Sequence, residues 1–367
     1  MVAEFEWRQA LGEVPRKPFI PETIWVENEQ ADGYVAVCRS QNLRRWEELV
    51  TADDAIVTQV DDGGTVPGSL GRSPSSSASK PSIVANMLRA LDVHPGHAVL
   101  EIGTGTGWNA ALLSKRVGQT GRVVSVEIDA ELALAARTAL QRGGYRASVI
   151  TADGVAGYPP GAPYDRIIST AAVRGTVPGT WVRQTRPGGL IVTPWGTSYH
   201  NGTQLRLRVT DHNTATGRFG GNLAFMRLRT QRGPTWVDNE NLDDADSRKT
   251  TLSSPEIGQA VASFDGSFAI GLHMPDCRVH LDEDTEDGQH LVWLSDGQSL
   301  ARVVVEIGAG SHQVHQRGPR RLWDEVESAY RWWRDADKPE HTRFGVTITP
   351  HDQVMWLDNP THSLPTQ

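Results

Sequence analysis

The sequence predicts an α/β fold in which a doubly wound, mostly parallel sheet is followed by an additional C-terminal α+β domain. The first observation is the alternation of helix-like segments with five apolar runs: AVLEI (98–102), RVVSVEI (122–128), ASVIT (147–151), DRIIST (165–170) and LIVTP (190–194). The second is a glycine-rich turn directly after the first run. Strands and helices that alternate in this way are typical of parallel sheets covered by helices on both faces.

The region before the sheet, residues 1–75, is predicted to be a helical and loop segment that packs on the sheet. Its stretches VENEQADGYVAVC and LRRWEEL are followed by the turn-rich DDGGTVPGSLG. A helix is then predicted from Pro81 to about Leu91, because apolar residues recur there at helical spacing.

Two further runs, TQLRLRV (203–209) and LAFMRLR (223–229), are predicted to complete the sheet, which places the first domain at residues 76–230. Beyond it come short β-like runs (SFAIGLHM, HLVWLS and ARVVVEI) and a helix in which Trp323, Tyr330 and Trp333 share a face. A hairpin around His351 closes the chain. Residues 231–367 are therefore predicted to form the second, α+β domain.

Length and composition limit the class of protein. The 367 residues predict two domains. A net charge of −8 argues against a nucleic-acid partner bound through its phosphates. Cys38 and Cys277 are too few for a disulfide framework or a zinc site. Neither a signal peptide nor a run of 18 apolar residues is present, so we expect a cytoplasmic protein without a membrane partner.

The glycine-rich turn has the form E-x-G-x-G-x-G. It consists of Glu101, Gly103, Thr104, Gly105, Thr106 and Gly107. Glycines let a backbone turn sharply and approach a ligand closely. A dinucleotide loop of the form G-x-G-x-x-G needs a glycine where Trp108 stands. The observed form is the one that S-adenosylmethionine (SAM) methyltransferases use, which predicts a Rossmann-like sheet that binds SAM.

Polar groups at the other strand ends support this prediction. Glu127 ends the second strand, where an acid can accept hydrogen bonds from both ribose hydroxyls. Asp153 and Gly154 follow the third strand, where a carboxylate can bind the adenine amino group. Ile128 and Thr170 complete the predicted cofactor site. We expect SAM as the cofactor, S-adenosylhomocysteine (SAH) as its product, and no metal.

With these features, the sequence resembles the protein-L-isoaspartate O-methyltransferase family over roughly residues 10–229. The matching stretches are VPRKPFIPE (14–22), SASKPSIVANML (77–88), VLEIGTGTGWNAALL (99–113), ITADG (150–154), APYDRIISTAA (162–172), RPGGLIVTPWG (186–196) and AFMRLR (224–229). The serine-rich block before the first strand is a hallmark of this family that most methyltransferases lack.

The resemblance implies a catalytic role for Ser79, onto which the active-site serine of the family maps. It also implies a substrate site formed by Ser77, Lys80, Ser82, Met226 and Arg227. A carboxylate is already ionised at neutral pH, so its methylation needs no general base. We expect Ser79 to orient the carboxylate toward the methyl donor, because orientation alone lowers such a barrier by several kcal/mol.

Two departures from the family pattern suggest a changed substrate. The chain continues long past Leu228, and Arg227 stands where the family has proline. With the stretches GRF (217–219) and AFMRLR (224–229) and the terminal element WWRDADKPEHTRFG (332–345), the chain resembles extended methyltransferases associated with ribosomally made, modified peptides. In that group an L-aspartate of a precursor peptide is esterified and then cyclises to an aspartimide, and we hypothesise the same reaction here.

The sequence is also compatible with other functions. The alternative substrate is a damaged, isoaspartyl residue in a protein or peptide, as in repair-type members of the family. In a third hypothesis, residues 231–367 serve only as a partner-binding or dimerisation module, and the sequence leaves the oligomeric state open. A small-molecule O-methyltransferase is disfavoured because no base for an alcohol or phenol is apparent.

Two weaker motifs are interpreted as structural. The acidic run 282–288 lacks the glycine and glutamate that a calcium loop requires, since Asp287 and Trp293 occupy those positions. It is predicted to be a solvated loop. His312 and His315 lack a third ligand, so they do not predict a metal site.

Overall fold

The computed structural model describes residues 2–234, 236, 242, 245–282, 289–306 and 308–364. The first part of the chain contains three helices and four strands. They are α1 (Val2–Glu13), β1 (Thr23–Asn28), β2 (Gly33–Cys38), α2 (Leu43–Thr51), β3 (Ile56–Val60), β4 (Pro74–Ala78) and α3 (Pro81–Leu91). The strands form an antiparallel sheet in the order β2-β1-β3-β4.

The prediction of a helical and loop segment over residues 1–75 is wrong for these four strands. The sequences of β1 and β2, TIWVEN and GYVAVC, are rich in the β-branched and aromatic residues that favour strands. The serine-rich β4 has no such pattern and becomes a strand because its backbone pairs with β3, with Ala78 opposite Ile56. The predicted helix from Pro81 to Leu91 is confirmed.

The central sheet follows. Its elements are β5 (Ala98–Ile102), α4 (Trp108–Val117), β6 (Arg122–Glu127), α5 (Ala130–Arg142), β7 (Ala147–Thr151), β8 (Tyr164–Ser169), β9 (Val173–Arg174), α6 (Gly179–Gln184), β10 (Thr185–Gly196), β11 (Thr203–Val209) and β12 (Ala215–Asn222). Strands β10, β8, β5, β6 and β7 are parallel neighbours in that order, and β11 and β12 extend the sheet in antiparallel fashion. The predicted doubly wound α/β fold is confirmed.

Residues 223–229, here called the crossing segment, do not form the predicted strand. Strand β12 already occupies the edge of β11 that this segment would need. The segment instead makes an isolated bridge between Arg227 and Ala172, whose backbone N–H donates to Met226 O at 2.8 Å. As a result it runs past the carboxyl end of the sheet.

The remaining elements are β13 (Asp246–Thr250), α7 (Ser254–Val261), α8 (Phe264–His273), β14 (Arg278–Asp282), β15 (His290–Ser295), β16 (Leu300–Val305), β17 (His312–Arg317), α9 (Leu322–Asp335), β18 (Phe344–Ile348) and β19 (Gln353–Leu357). An antiparallel sheet has the order β13-β17-β16-β15-β14. The predicted closing hairpin, β18–β19, returns to the central sheet and pairs with β12.

The run SFAIGLHM forms helix α8 and not the predicted strand. Ser263 caps the helix by accepting the Gly266 N–H at 3.2 Å. Phe268, Ala269 and Ile270 are all buried in succession. A helix that is apolar on every side has no helical period, so its sequence cannot be distinguished from that of a buried strand.

One hydrophobic core joins the C-terminal region to the central sheet. It contains Trp195 and Phe219 from the sheet and Phe268 from α8, with ring centroids 4.8 to 5.8 Å apart. The predicted apolar face of α9 is confirmed, since Trp323 and Tyr330 are fully buried in the same core. Deleting residues 231–367 would therefore open this core, and point substitutions are better tests of the region.

The acidic run 282–288 and the pair His312 and His315 are the two motifs that the sequence predicts to be structural. Residues 283–288 of the acidic run lie outside the described residues. His312 is buried and accepts the backbone N–H of Glu306 at 3.2 Å. Within the described ranges, no three His, Cys, Asp or Glu side chains are grouped to hold a metal ion. Among those same residues, no helix is both long and apolar enough to cross a membrane.

Candidate active site

A cavity of about 440 Å³ lies at the carboxyl ends of β5, β6, β7 and β8. Its other walls are the serine segment (residues 74–80) and residues 224–229 of the crossing segment. The lining includes most of the predicted site residues, namely Ser77, Ser79, Lys80, Gly103, Thr104, Gly105, Glu127, Ile128, Asp153, Gly154, Thr170, Met226 and Arg227. Ser82, Glu101 and Gly107 do not line it.

The glycine loop (residues 103–107) has a backbone that only glycine adopts easily. Gly103, Gly105 and Gly107 have φ values of +86°, +52° and +88°. A Cβ added to Gly103 would lie 3.0 Å from Thr170 Oγ1, and one added to Gly107 would lie 3.2 Å from Ala136 Cβ. Gly107 is thus needed for packing behind the loop, while Gly103 and Gly105 face the cavity.

Backbone donors hold the two predicted cofactor carboxylates at the cavity wall. Glu127 Oε2 accepts the Gly105 N–H at 2.9 Å, and its Oε1 accepts the Asp129 N–H at 3.1 Å. Asp153 Oδ1 accepts the Val155 N–H at 3.0 Å. Glu127 therefore connects the end of β6 to the glycine loop and fixes the shape of that loop.

Glu101 lies behind the cavity and not in it. Its side chain is fully buried, where Oε1 accepts a hydrogen bond from Asn109 Nδ2 at 2.7 Å and Oε2 accepts one from Ser125 Oγ at 2.5 Å. Burial raises the pKa of Glu101 to about 7. The structure thus gives Glu101 a supporting position under the glycine loop, out of reach of a ligand in the cavity.

We expect the substitution Glu101→Gln to remove a pH dependence of stability. The raised pKa means that the native state holds this proton more tightly than the unfolded chain, so the stabilisation is complete below pH 4.5 and lost as pH rises through about 7. From pH 5 to pH 8 the free energy of unfolding of the wild type should fall by about 2.5 kcal/mol relative to that of the variant. Urea denaturation at both pH values measures this, and parallel curves for the two proteins would contradict it.

Asn109 is a cavity residue that the sequence reasoning missed. Its Nδ2 is used by Glu101, but its Oδ1 is buried and has no hydrogen-bond partner among the described residues. An unpaired buried acceptor is costly unless a ligand satisfies it. The ammonium group of SAM is such a donor, so the cavity fits SAM at this point. No sequence pattern distinguishes this asparagine from other helix residues.

The serine segment presents different hydroxyl groups to different partners. Ser75 Oγ donates to Gln59 Oε1 at 2.8 Å, and Ser76 Oγ accepts from Thr58 Oγ1 at 3.1 Å. These two serines attach the segment to β3. Ser79 is half-buried and lines the cavity, and its hydroxyl has no hydrogen-bond partner within the described part of the chain. It is therefore available to a ligand.

Arg16 holds the backbone next to Ser79. Its buried guanidinium donates from Nη2 to Ala78 O at 2.8 Å and to Asp54 O at 2.9 Å, and from Nη1 to Ala52 O at 3.4 Å. Burial lowers the pKa of Arg16 to about 10, which leaves it charged at neutral pH. The position of Ser79 thus depends on a residue far away in sequence.

We expect Arg16→Lys to lower kcat about tenfold or more, because small displacements of a positioning group have effects of that size. A lysine ammonium keeps the charge but cannot reproduce the planar fork that reaches three carbonyl groups. Steady-state kinetics at saturating SAM measures kcat, and SAH titration checks that the cofactor site is intact. Lys17→Met, at a half-exposed neighbour paired with Glu47, is the control. An unchanged kcat in Arg16→Lys would refute the positioning role.

The predicted substrate residues divide into two groups. Lys80, Ser77, Met226 and Arg227 line the cavity. Ser82 lies outside it, at the start of α3, where its backbone N–H donates to Asp53 Oδ1 at 2.9 Å. Ser82 therefore belongs to the cap of the helix, and the structure does not bring it to the substrate side.

A network of charges fastens the N-terminal sheet over the cavity. Arg229 Nη2 donates to Asp129 Oδ2 at 2.9 Å and to Gln59 Oε1 at 3.2 Å, and Gln59 Nε2 donates to the same Asp129 oxygen at 3.0 Å. Asp62 in turn pairs with Arg229 and Arg232. The network joins β3, the start of α5 and the crossing segment on one side of the cavity.

The sheet, the glycine loop and the acidic strand ends define the class of SAM-dependent methyltransferases. The family model for protein-L-isoaspartate(D-aspartate) O-methyltransferase (PCMT) matches residues 54–226. The protein-L-isoaspartate O-methyltransferase of Methanopyrus kandleri is 36% identical over 210 residues, which are 57% of this chain and 91% of that protein. The chain belongs to this family of carboxyl O-methyltransferases.

A second relative and one solved structure are also similar to this chain. The protein-L-isoaspartate O-methyltransferase of Thermococcus onnurineus is 42% identical over 159 residues, 42% of this chain and 70% of that protein. A solved protein-L-isoaspartate O-methyltransferase superposes on 96% of this chain and 95% of its own, with a TM-score of 0.53 and 19% identity. At that identity the superposition compares folds alone, and it extends through the C-terminal region.

Proposed function

We propose that this protein transfers the methyl group of SAM to the free carboxylate of an isoaspartyl residue in a peptide or protein. The observation that carries the proposal is the unpartnered hydroxyl of Ser79 in the same cavity as the glycine loop. Among the described residues that line the cavity there is no His or Tyr. This lining suits a carboxylate, which is ionised without a base, better than an alcohol or phenol.

In this proposal SAM binds on one side of the cavity and the substrate carboxylate on the other. Glu127 and Asp153 would hold the ribose and adenine of SAM, and Asn109 would accept its ammonium group. When bound, SAM supplies an electrophilic methyl group on a sulfonium. On the other side, the Ser79 hydroxyl donates a hydrogen bond to one carboxylate oxygen and leaves the second oxygen directed at the donor. Phe225 and Met226 add apolar wall that removes water from that oxygen.

A second candidate is esterification of an L-aspartate in a precursor peptide. Arg227 favours it, because this charged side chain faces the cavity at the position where the family has proline. In this candidate the nitrogen of the following residue attacks the ester carbonyl, the bond to the methoxy group breaks, and methanol leaves with the proton of that nitrogen. A five-membered aspartimide remains, and its closure is favoured by a high effective molarity.

On the sequence alone, the C-terminal extension and the altered substrate strand rank the precursor peptide first. The extension does not support that ranking, since a solved protein-L-isoaspartate O-methyltransferase superposes along nearly the whole chain. The two relatives with 36% and 42% identity are also named protein-L-isoaspartate O-methyltransferases. The isoaspartyl substrate is therefore the leading proposal.

Two peptides that differ only in the linkage of one residue, L-aspartyl or L-isoaspartyl, distinguish the candidates. Each is incubated with enzyme and SAM and followed by mass spectrometry. We expect the isoaspartyl peptide to gain one methylene unit and then to lose methanol. A clear preference for the L-aspartyl peptide would overturn this proposal in favour of the precursor peptide. Failure of both would contradict carboxyl methylation of aspartyl residues.

A further inference from the structure

The C-terminal region forms a second cavity beside the first. It is open, with a volume of about 800 Å³, and the side chain of Arg227 borders both cavities. One wall is a face of the β14–β15 hairpin. Arg278, His280 and Asp282 alternate along β14 on that face, and Trp293 of β15 is opposite His280. The two cavities therefore adjoin at Arg227.

The part of the second cavity near Arg227 is positively charged. Arg227 and Arg278 both line it, and a Cβ added to Gly233 would lie 3.1 Å from Arg227 Nη1 and 3.6 Å from Arg174 Cδ. Burial lowers the pKa of Arg227, and the positive charges of Arg174 and Arg278 lower it further. Arg174 is neutralised by an ion pair with Asp276. Arg227 donates to the carbonyl oxygen of Thr197. Neither Arg227 nor Arg278 forms an ion pair with a carboxylate of the described residues.

A polar hydroxyl group faces the same space. Ser198 Oγ lines the second cavity, is buried, and has no hydrogen-bond partner among the described residues. A Cβ added to Gly233 would lie 2.8 Å from Ser198 Oγ and 3.1 Å from Arg227 Nη1, so these two groups face one small volume. Asp282 is four residues from Arg278, about 13 Å along the strand. Its negative charge is therefore distant from the end of the cavity at Arg227 and Arg278, which stays positive.

We propose that Ser198, Arg227 and Arg278 form a subsite for a second carboxylate of the peptide substrate, separate from the one that is methylated. The inference rests on the proposed function in one respect, that the ligand is a peptide. Guanidinium and hydroxyl donors suit a carboxylate, which accepts charge-assisted hydrogen bonds. An extended peptide advances about 3.3–3.6 Å per residue, so a residue a few positions from the target reaches the subsite.

Labelled peptides test the subsite by binding, without turnover. One set carries an isoaspartyl target in a neutral background, with Glu or Gln at each nearby position in turn. A second set compares a free C-terminal carboxylate with the amide, which distinguishes a side chain from a chain end. Fluorescence anisotropy in saturating SAH gives Kd for the wild type, Arg278→Gln, Ser198→Ala and the control Arg44→Gln. Arg44 is a 93% exposed side chain on α2.

We expect one carboxylate position to tighten Kd about tenfold in the wild type and in Arg44→Gln. This advantage should disappear in Arg278→Gln and shrink in Ser198→Ala. SAH titration checks that each variant is folded, and Ser198→Ala removes only an oxygen that no described residue uses. The subsite is refuted if no position shows an effect of charge, or if both variants retain it.

Methyl transfer to the same peptides separates this inference from the proposed function. Binding that depends on the second carboxylate, without methyl transfer, would contradict the proposed function and support the subsite. Methyl transfer with equal Kd for the Glu and Gln peptides would support the proposed function and contradict the subsite.

Discussion

Replacing Ser79 with alanine is expected to lower kcat by about tenfold to a hundredfold and to leave SAH affinity unchanged. A hydrogen bond to a charged group contributes about 1.5–3 kcal/mol, and each 1.4 kcal/mol changes a rate about tenfold. The Ser79 hydroxyl has no partner among the described residues, so its removal disturbs no observed contact. We therefore attribute the expected loss of kcat to poorer orientation of the substrate carboxylate. Initial rates with a methyl-accepting peptide, at saturating SAM, measure it.

A matched substitution directly before the serine segment separates this role from a general effect on this part of the chain. Ser73 is exposed and does not line the cavity, so Ser73→Ala should retain the wild-type kcat. Calorimetric titration of SAH into each variant shows whether the cofactor side is intact. Wild-type kcat in Ser79→Ala would refute the orienting role, and equal losses in both variants would indicate a general change in this part of the chain.

The parallel part of the sheet could be predicted because its strands are buried on both faces. Such strands are nearly continuous apolar runs, which the sequence shows directly, and AVLEI coincides residue for residue with the fully buried β5. The edge strand β7 also coincides with its predicted run, ASVIT, although only Val149 is buried there. The glycine loop was equally visible, because a positive φ restricts the choice of residue. Strand ends in parallel sheets meet at one edge, and this rule placed Glu127 and Asp153 correctly at the cavity.

The features that sequence reasoning missed depend on contacts between distant residues. The serine segment becomes a strand through β3, and the crossing segment is excluded from the sheet by β12. Arg16 stabilises the backbone at Ala78 from 62 positions away. Glu101 accepts the hydrogen bond of Asn109 Nδ2 and so fixes the orientation of the amide, which leaves Asn109 Oδ1 as an unpaired acceptor. None of these contacts leaves a pattern among neighbouring residues of the sequence, so each is visible only in the structure.

The substitution Glu127→Gln is expected to weaken SAH binding about a hundredfold, since the charge-assisted hydrogen bonds proposed between Glu127 and the two ribose hydroxyls are together worth about 3 kcal/mol. The Glu127 carboxylate accepts the backbone N–H groups of Gly105 and Asp129. A glutamine offers one carbonyl oxygen, so its NH₂ group would face one of these donors and displace the glycine loop. The same substitution removes the acceptor proposed for the ribose hydroxyls. Isothermal titration with SAH measures the change in Kd.

Glu131→Gln is the matched control, because Glu131 is exposed in the first turn of α5 and does not line the cavity. It removes the same unit of negative charge near the cavity without a contact to the glycine loop. An equal loss of affinity in both variants would mean that long-range charge, and not the hydrogen bonds of Glu127, controls binding. Thermal unfolding without SAH should occur at a lower temperature in Glu127→Gln than in Glu131→Gln, because Glu127 is buried and its two backbone hydrogen bonds exist without a ligand. Unchanged SAH affinity in Glu127→Gln would contradict the cofactor site proposed at the end of β6.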